Sequence, residues 1–195
     1  MIIGLTGGIG SGKSTVVNMF AEFNDIAIYI ADIEAKKLMN TSSVIKDKLI
    51  TEFGKLAVEN NEVNRSYISS IVFNNTEKLK RLNAIIHPEV RKNFYEFAAM
   101  NANKSYIVYE AAILFEANAD VLCDKVITVY TDKETRIKRV LDRDNTTREE
   151  VESRIKNQWK DSKKMLLSNY IIYNYNLKDT KLQVQKIHNI LTNYR

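Results

Sequence analysis

Eight residues near the N-terminus, Gly7-Gly8-Ile9-Gly10-Ser11-Gly12-Lys13-Ser14, fit the pattern G-x-x-x-x-G-K-[ST] at every fixed position. The pattern has a mechanism. Its glycines let successive backbone N–H groups turn inward as a nest for anions, and a helix starting at the end of the loop adds partial positive charge there. Lys13 is expected to reach the β- and γ-phosphates of ATP or GTP, and Ser14 to offer its hydroxyl to Mg²⁺. Gly7, Gly8, Gly10, Ser11, Gly12 and Thr15 complete the expected phosphate cradle. An apolar run before the motif, Ile2 to Leu5, and a helical pattern after it, Thr15 to Phe23, supply the strand-before, helix-after setting of a P-loop.

A P-loop does not say where the phosphate goes, so the rest of the chain has to. Asp32 ends the second apolar run, at the edge where a doubly wound sheet gathers ligand contacts, and its carboxylate can accept the proton of an acceptor hydroxyl. The competing reading is an N-cap for a helix over Ile33 to Met39. Arg136, Arg139 and Arg143 recur at three- and four-residue spacing on one helix face, where a lid could swing them onto a transferring phosphoryl group. Arg139 and Arg143 are the two assigned to catalysis, Arg139 also to the nucleotide; a solvated basic face interleaved with Asp142, Asp144 and Glu149 is the alternative. Glu110, at the end of the third run, can support Mg²⁺ or its waters, and Glu116 is either functional or a plain loop carboxylate. His87 and Arg91 lie one helical turn apart and together can touch an anionic acceptor.

Five short runs must position these groups: Ile2 to Leu5, Ile26 to Ile30, Tyr106 to Tyr109, Val126 to Tyr130 and Tyr170 to Tyr173. Each is apolar at nearly every residue, as strands covered on both faces are, and helical patterns separate them. The expected fold is α/β of P-loop NTPase type, a parallel five-stranded sheet with helices on both faces, an inserted helical substrate domain and a helical lid. The nucleotide-binding core is placed at about 1–34 and 104–195, the insertion at about 35–103 and the lid at about 139–160. The insertion reads as helical throughout, over Val44 to Phe53, Ser66 to Phe73 and Glu77 to Met100, with Pro88 interrupting the last. The abundant Asn is given no functional weight.

Composition narrows the setting. The 195 residues carry 29 Lys+Arg against 24 Asp+Glu, a net charge of +5 spread along the chain, which suits phosphorylated small molecules. No basic run with interleaved aromatics favours nucleic acid, and no apolar stretch suits a membrane. A single cysteine, Cys123, points to a reducing, cytoplasmic location.

At several separated points the chain resembles the dephospho-CoA kinase family. The opening Gly4 to Thr15 looks like that family's start, Ala31-Asp32 the end of its Asp-Ala-Asp, Val72-Phe73 its Val-Phe and His87-Pro88-x-x-Arg91 its His-Pro motif. Leu114-Phe115-Glu116 is similar to its Leu-Phe-Glu, Arg139-x-x-x-Arg143-Asp144 to its lid, Arg154-x-x-x-Gln158 to the lid's end, and Asn174 to its asparagine near the adenine. The resemblance implies phosphorylation by ATP of the ribose 3′-hydroxyl of dephospho-CoA, with Asp32 as base, Asn174 at the nucleotide, and Thr6, Asp32, His87, Arg91, Leu114 and Glu116 at the acceptor. It implies ATP and dephospho-CoA as the partners, with neither nucleic acid nor membrane, and a monomer or weak homo-oligomer. Ile30, Ala112, Ile113 and Tyr175 depart from the family pattern. The alternative acceptor is that of another P-loop small-molecule kinase, of nucleoside monophosphate, shikimate or gluconate type.

Overall fold

A computed structural model describes residues 1–72 and 75–193. The chain divides into two compact units: Met1–Ile30 together with the segment from Asn101 onward, and Ala31–Met100. The first unit begins with β1 (Ile2–Thr6), α1 (Lys13–Phe20) and β2 (Ile26–Ile30).

The second unit contains α2 (Ala31–Thr41), α3 (Ser43–Phe53), a hairpin of β3 (Val58–Glu59) and β4 (Glu62–Val63), α4 (Arg65–Val72) and α5 (Thr76–Met100). Three- and four-residue spacing puts Leu82, Ile85, Ile86, Val90 and Phe94 of α5 on one buried stripe, and α5 packs against α2, α3 and α4. That packing explains the first correction: α5 continues through Pro88 instead of being interrupted there. A proline deletes the N–H that would bond the carbonyl four residues back, yet burial of the stripe on both sides of it outweighs one lost bond. The hairpin is the second correction, because the segment is not helical throughout. Asn60 and Asn61 form its turn with φ of 50° and 63°, the left-handed conformation that a two-residue hairpin needs and Asn tolerates. Of the Val72-Phe73 pair, Phe73 lies outside the described residues.

The chain then completes the first unit with β5 (Tyr106–Glu110), β6 (Lys125–Tyr130), α6 (Lys133–Arg143), α7 (Arg148–Lys156), α8 (Asp161–Leu167), β7 (Tyr170–Tyr173) and α9 (Leu177–Thr192). The five long strands form one parallel sheet in the order β2-β5-β1-β6-β7. Their apolar faces make the core, with Ile3, Leu5, Val108, Ile127 and Val129 under Val16, Val17 and Phe20 of α1 and Val184, Ile187 and Leu191 of α9. At the outer strand, the Gln183 side chain accepts from the Tyr173 N–H at 2.9 Å and donates to the Tyr173 carbonyl at 2.9 Å. Because all five strands run the same way, the segments after β1, β5, β6 and β7 leave from one edge of the sheet.

Candidate active site

The loop between β1 and α1 carries the phosphate motif, and α1 starts at Lys13, two residues earlier than the sequence reading, so Ser14 and Thr15 lie in its first turn. Gly12 precedes the helix at φ 89°, where any side chain would be strained and its Cβ would strike Asn174. The loop carbonyls are held by donors. Lys13 Nζ donates to Gly7 O at 3.0 Å, the Ser11 N–H to Gly8 O at 3.0 Å, Arg136 Nε to Ile9 O at 2.7 Å, and Asn174 Nδ2 to Ser11 O at 2.8 Å. A peptide plane pinned at its oxygen has its N–H direction fixed as well, which is how an anion nest is preorganised. The Ile9 N–H is itself taken, by Gln158 Oε1 at 2.9 Å. Ser11 Oγ is buried with no hydrogen-bond partner among the described residues, a polar atom suited to a ligand oxygen.

The three arginines of α6 do not act as one face. Arg136 is 3% exposed, paired with Asp161 and pressed against Gly8. Arg139 reaches the loop too, donating to Asn174 O at 3.0 Å and to Ser11 O at 3.4 Å. Arg143 does not: it is exposed and forks onto its neighbour Asp144, through Nε at 2.8 Å and Nη2 at 3.0 Å. Asn174 is buried and braces the loop, its Oδ1 accepting from Thr180 at 3.0 Å. A small apolar cluster of Ile137, Val140 and Val151 joins α6 to α7, and Ile9 from the loop tip packs against it.

Beside the loop, β5 ends in buried Glu110, in register with Leu5 of β1 and Ile30 of β2. The segment after it turns back over the sheet. Buried Thr6 donates to Ala112 O at 3.4 Å, and fully buried Lys164 donates to the same oxygen at 3.2 Å. Lys164 also pairs with Glu116 Oε1 at 2.8 Å, and the Trp159 N–H donates to that oxygen at 2.9 Å. Glu116 Oε2 is buried with no hydrogen-bond partner among the described residues. Phe115 stacks on Trp159 with ring centroids 6.2 Å apart. Leu114, expected at the acceptor, is fully buried, and a Cβ on Gly4 would come within 2.9 Å of it. It can therefore serve the acceptor only by shaping this segment.

In the second unit, Asp32 is exposed in the first turn of α2, inside the helix rather than capping a later one. The helix begins at Ala31 directly after β2, so the N-cap reading is displaced. Four residues apart on α5, half-buried His87 and exposed Arg91 face each other closely enough to interact. Burial first, then the Arg91 charge, pushes the His87 imidazole below its ordinary pKa, toward the neutral form.

Sequence reasoning missed Lys164 and Asp161, and placed Arg136 on a lid face aimed at the transferring phosphoryl group and Gln158 at the lid's end. Lys156, Lys160, Lys163 and Lys164 crowd one stretch and read alike as solvated, so spacing does not mark the buried one. No helix among the described residues is long and apolar enough to cross a membrane.

A family model described as dephospho-CoA kinase matches residues 1–179. A dephospho-CoA kinase of Fusobacterium nucleatum is 39% identical over 188 residues, covering 95% of this chain and 96% of that protein. One from Leptospira interrogans is 40% identical over 174 residues, covering 89% and 84%. Among solved structures, a Thermus thermophilus protein matches with a TM-score of 0.87 at 27% identity over 100% of this chain and 98% of its own. A dephospho-CoA kinase from Campylobacter jejuni matches with a TM-score of 0.64 at 26% identity, over 98% and 97%. A shikimate kinase from Acinetobacter baumannii, 17% identical with a TM-score of 0.51, shares the fold.

Proposed function

Because the chain belongs to the dephospho-CoA kinase family, we propose how its residues divide the work of moving a phosphoryl group from ATP to the ribose 3′-hydroxyl of dephospho-CoA. The observation that carries the reading is a phosphate loop whose carbonyls are held by Lys13, Ser11, Arg136 and Asn174, the pinning of peptide planes on which an anion nest depends.

In this reading Gly7, Gly8, Gly10, Ser11, Gly12, Ser14 and Thr15 cradle the ATP phosphates. Lys13 leaves Gly7 O for the transferring phosphate, where its charge offsets the charge that develops on the equatorial oxygens. Arg139, already at the loop, adds to that field, while Arg143 has to exchange Asp144 for phosphate to contribute. Asn174 serves the nucleotide through the loop it braces. Asp32 takes the proton of the attacking hydroxyl, for which an exposed carboxylate at a helix start is suited.

On the acceptor side, His87 and Arg91 form a small cationic and hydrogen-bonding pair for an anionic group. The free oxygen of Glu116 is suited to a donor on the acceptor, with Thr6 and Leu114 shaping the segment that presents it. The Ser14 hydroxyl and the Glu110 carboxylate are hard oxygen donors of the kind Mg²⁺ prefers, and one or two such ligands suffice when phosphates supply the rest. Bound there, Mg²⁺ would neutralise phosphate charge.

The unit Ala31–Met100 is read as the acceptor-binding insertion, and 139–160 as the lid. A cytoplasmic location is read from the lone cysteine, and a monomer or weak homo-oligomer is the expected state. Incubation with ATP, Mg²⁺ and a panel of dephospho-CoA, nucleoside monophosphates, shikimate and gluconate tests the acceptor by product mass. Phosphorylation of dephospho-CoA alone is expected; preferential phosphorylation of any other member overturns the reading.

A further inference from the structure

The two backbone polar groups of Ile9, which belong to the peptides on either side of its Cα, are both engaged from outside the loop: its carbonyl by Arg136 Nε at 2.7 Å and its N–H by Gln158 Oε1 at 2.9 Å. The Ile9 side chain is held as well, against Ile137, Val140 and Val151. No other loop residue is described with all three held, and the strongest of the restraints is a buried charge. Arg136 is 3% exposed, and its guanidinium lies so close to Gly8 that a Cβ there would collide with it. Its carbonyl in turn sits where a Cβ on Gly10 would fall, so α6 abuts the loop at two glycines.

A cation this buried needs a counter-charge, and Arg136 Nη1 donates to Asp161 Oδ2 at the start of α8. The planar fork of the guanidinium serves both jobs at once, one N–H on a loop carbonyl and another on a carboxylate. Asp161 is 21% exposed, so its own desolvation is partial and the pair is held chiefly for the arginine's sake.

We infer that Arg136 is a positioning residue for ATP binding: through Ile9 it fixes the peptide planes of the phosphate loop, with Asp161 as the counter-ion that keeps it there. This rests on the reading of residues 7–14 as an ATP site, and it assigns Arg136 no contact with phosphate. The role also differs from that of the neighbouring Arg139, which holds the far end of the loop at Ser11 and Asn174. A lysine would not replace it, since a single ammonium on a flexible stem lacks the rigid two-pronged geometry.

The test is calorimetric titration of the full chain with an ATP analogue whose β,γ-bridge cannot be cleaved, without acceptor, beside thermal unfolding. Arg136→Gln should weaken analogue binding about tenfold, the scale of losing one charge-assisted hydrogen bond. Asp161→Asn leaves a buried cation without its counter-charge, so it should lower Tm more than Arg136→Gln does. The double variant Arg136→Gln/Asp161→Asn should recover Tm but keep the weakened binding, which a purely structural ion pair would not do. Analogue binding by Arg136→Gln within about twofold of wild type, or recovery of both Tm and binding in the double variant, would overturn the inference. Absence of analogue binding by the wild-type chain would instead overturn the ATP-site reading beneath it.

Discussion

Replacing Lys164 with Met tests how the segment after β5 is held. The lysine side chain is 0% exposed and its ammonium has two partners, Glu116 Oε1 at 2.8 Å and Ala112 O at 3.2 Å. Met fills similar space but donates nothing, so the Glu116 carboxylate, only 14% exposed, keeps a single donor in the Trp159 N–H. Ala112 O is left with Thr6 Oγ1 at 3.4 Å, a weak contact. Removing one partner of a buried pair costs about 3 to 5 kcal/mol, and the surviving Trp159 bond argues for the lower end. At about 2 to 4 °C per kcal/mol for a chain of this size, about 3 kcal/mol corresponds to a fall in Tm of about 6 to 12 °C. Adding Glu116→Gln to Lys164→Met removes the orphaned charge and should restore at least half of that loss, because the two sites are coupled. Calorimetry or circular dichroism at fixed protein concentration measures both. A fall below about 2 °C for Lys164→Met, or strictly additive losses in the double variant, would refute the account of a buried, mutually dependent pair.

Lys13→Ala should cut turnover on the order of 10²-fold or more with the fold retained, and a steady-state rate above a tenth of wild type would contradict its role at the transferring phosphate. Asp32→Asn should lower kcat by roughly 10²- to 10⁴-fold while ATP binding holds; unchanged turnover per folded molecule would remove Asp32 as base. His87→Ala combined with Arg91→Ala should raise the dephospho-CoA KM by about tenfold and leave the ATP KM alone, as initial-rate measurements against each substrate would reveal. Because His87 is held below its ordinary pKa, the unfolded chain binds more protons on acidification, so its contribution to stability is full above the unfolded value and declines below it. His87→Gln should therefore flatten the slope of Tm against pH in that acid range. Burial, then Asp120 and Asp124, push the Cys123 thiol up to about 12, so iodoacetamide at pH 8 should label it slowly until denaturant is added; native labelling at the rate of a free thiol would show that the residue is accessible.

The sheet was legible because its strands are apolar at nearly every residue, even at the outer strand, where only Ile172 is buried. Ile26–Ile30 and Tyr170–Tyr173 have the bounds read from the apolar runs, and the other three differ by a residue at one end. The phosphate loop was legible because its chemistry demands fixed residue types at fixed spacing. What sets the loop's shape was not, since Arg136 reaches Ile9 across 127 positions and Lys164 reaches Ala112 across 52, distances at which sequence carries no periodic signal. The same holds for α6, where regular spacing suggested one arginine face but burial, loop contact and solvent separate Arg136, Arg139 and Arg143. Local signals were sometimes present and given too little or too much weight. Asn60-Asn61 is a hairpin turn hidden in an Asn-rich chain, and Pro88 is a helix breaker overruled by the packing of its neighbours.

The Gln183 amide, by exchanging two hydrogen bonds with Tyr173, stands in for the peptide of a sixth strand. This support comes from beyond the stretch that the family model matches. Similarity to the family model stops at residue 179, three residues into α9, whereas Gln183 and the buried Val184, Ile187 and Leu191 all follow it. A chain trimmed to the matched segment would expose Val16, Val17 and Phe20 and reopen the outer strand to pairing with other chains. The last turns of α9 are thus a closing piece that lends one amide to the outer strand and three apolar side chains to the core.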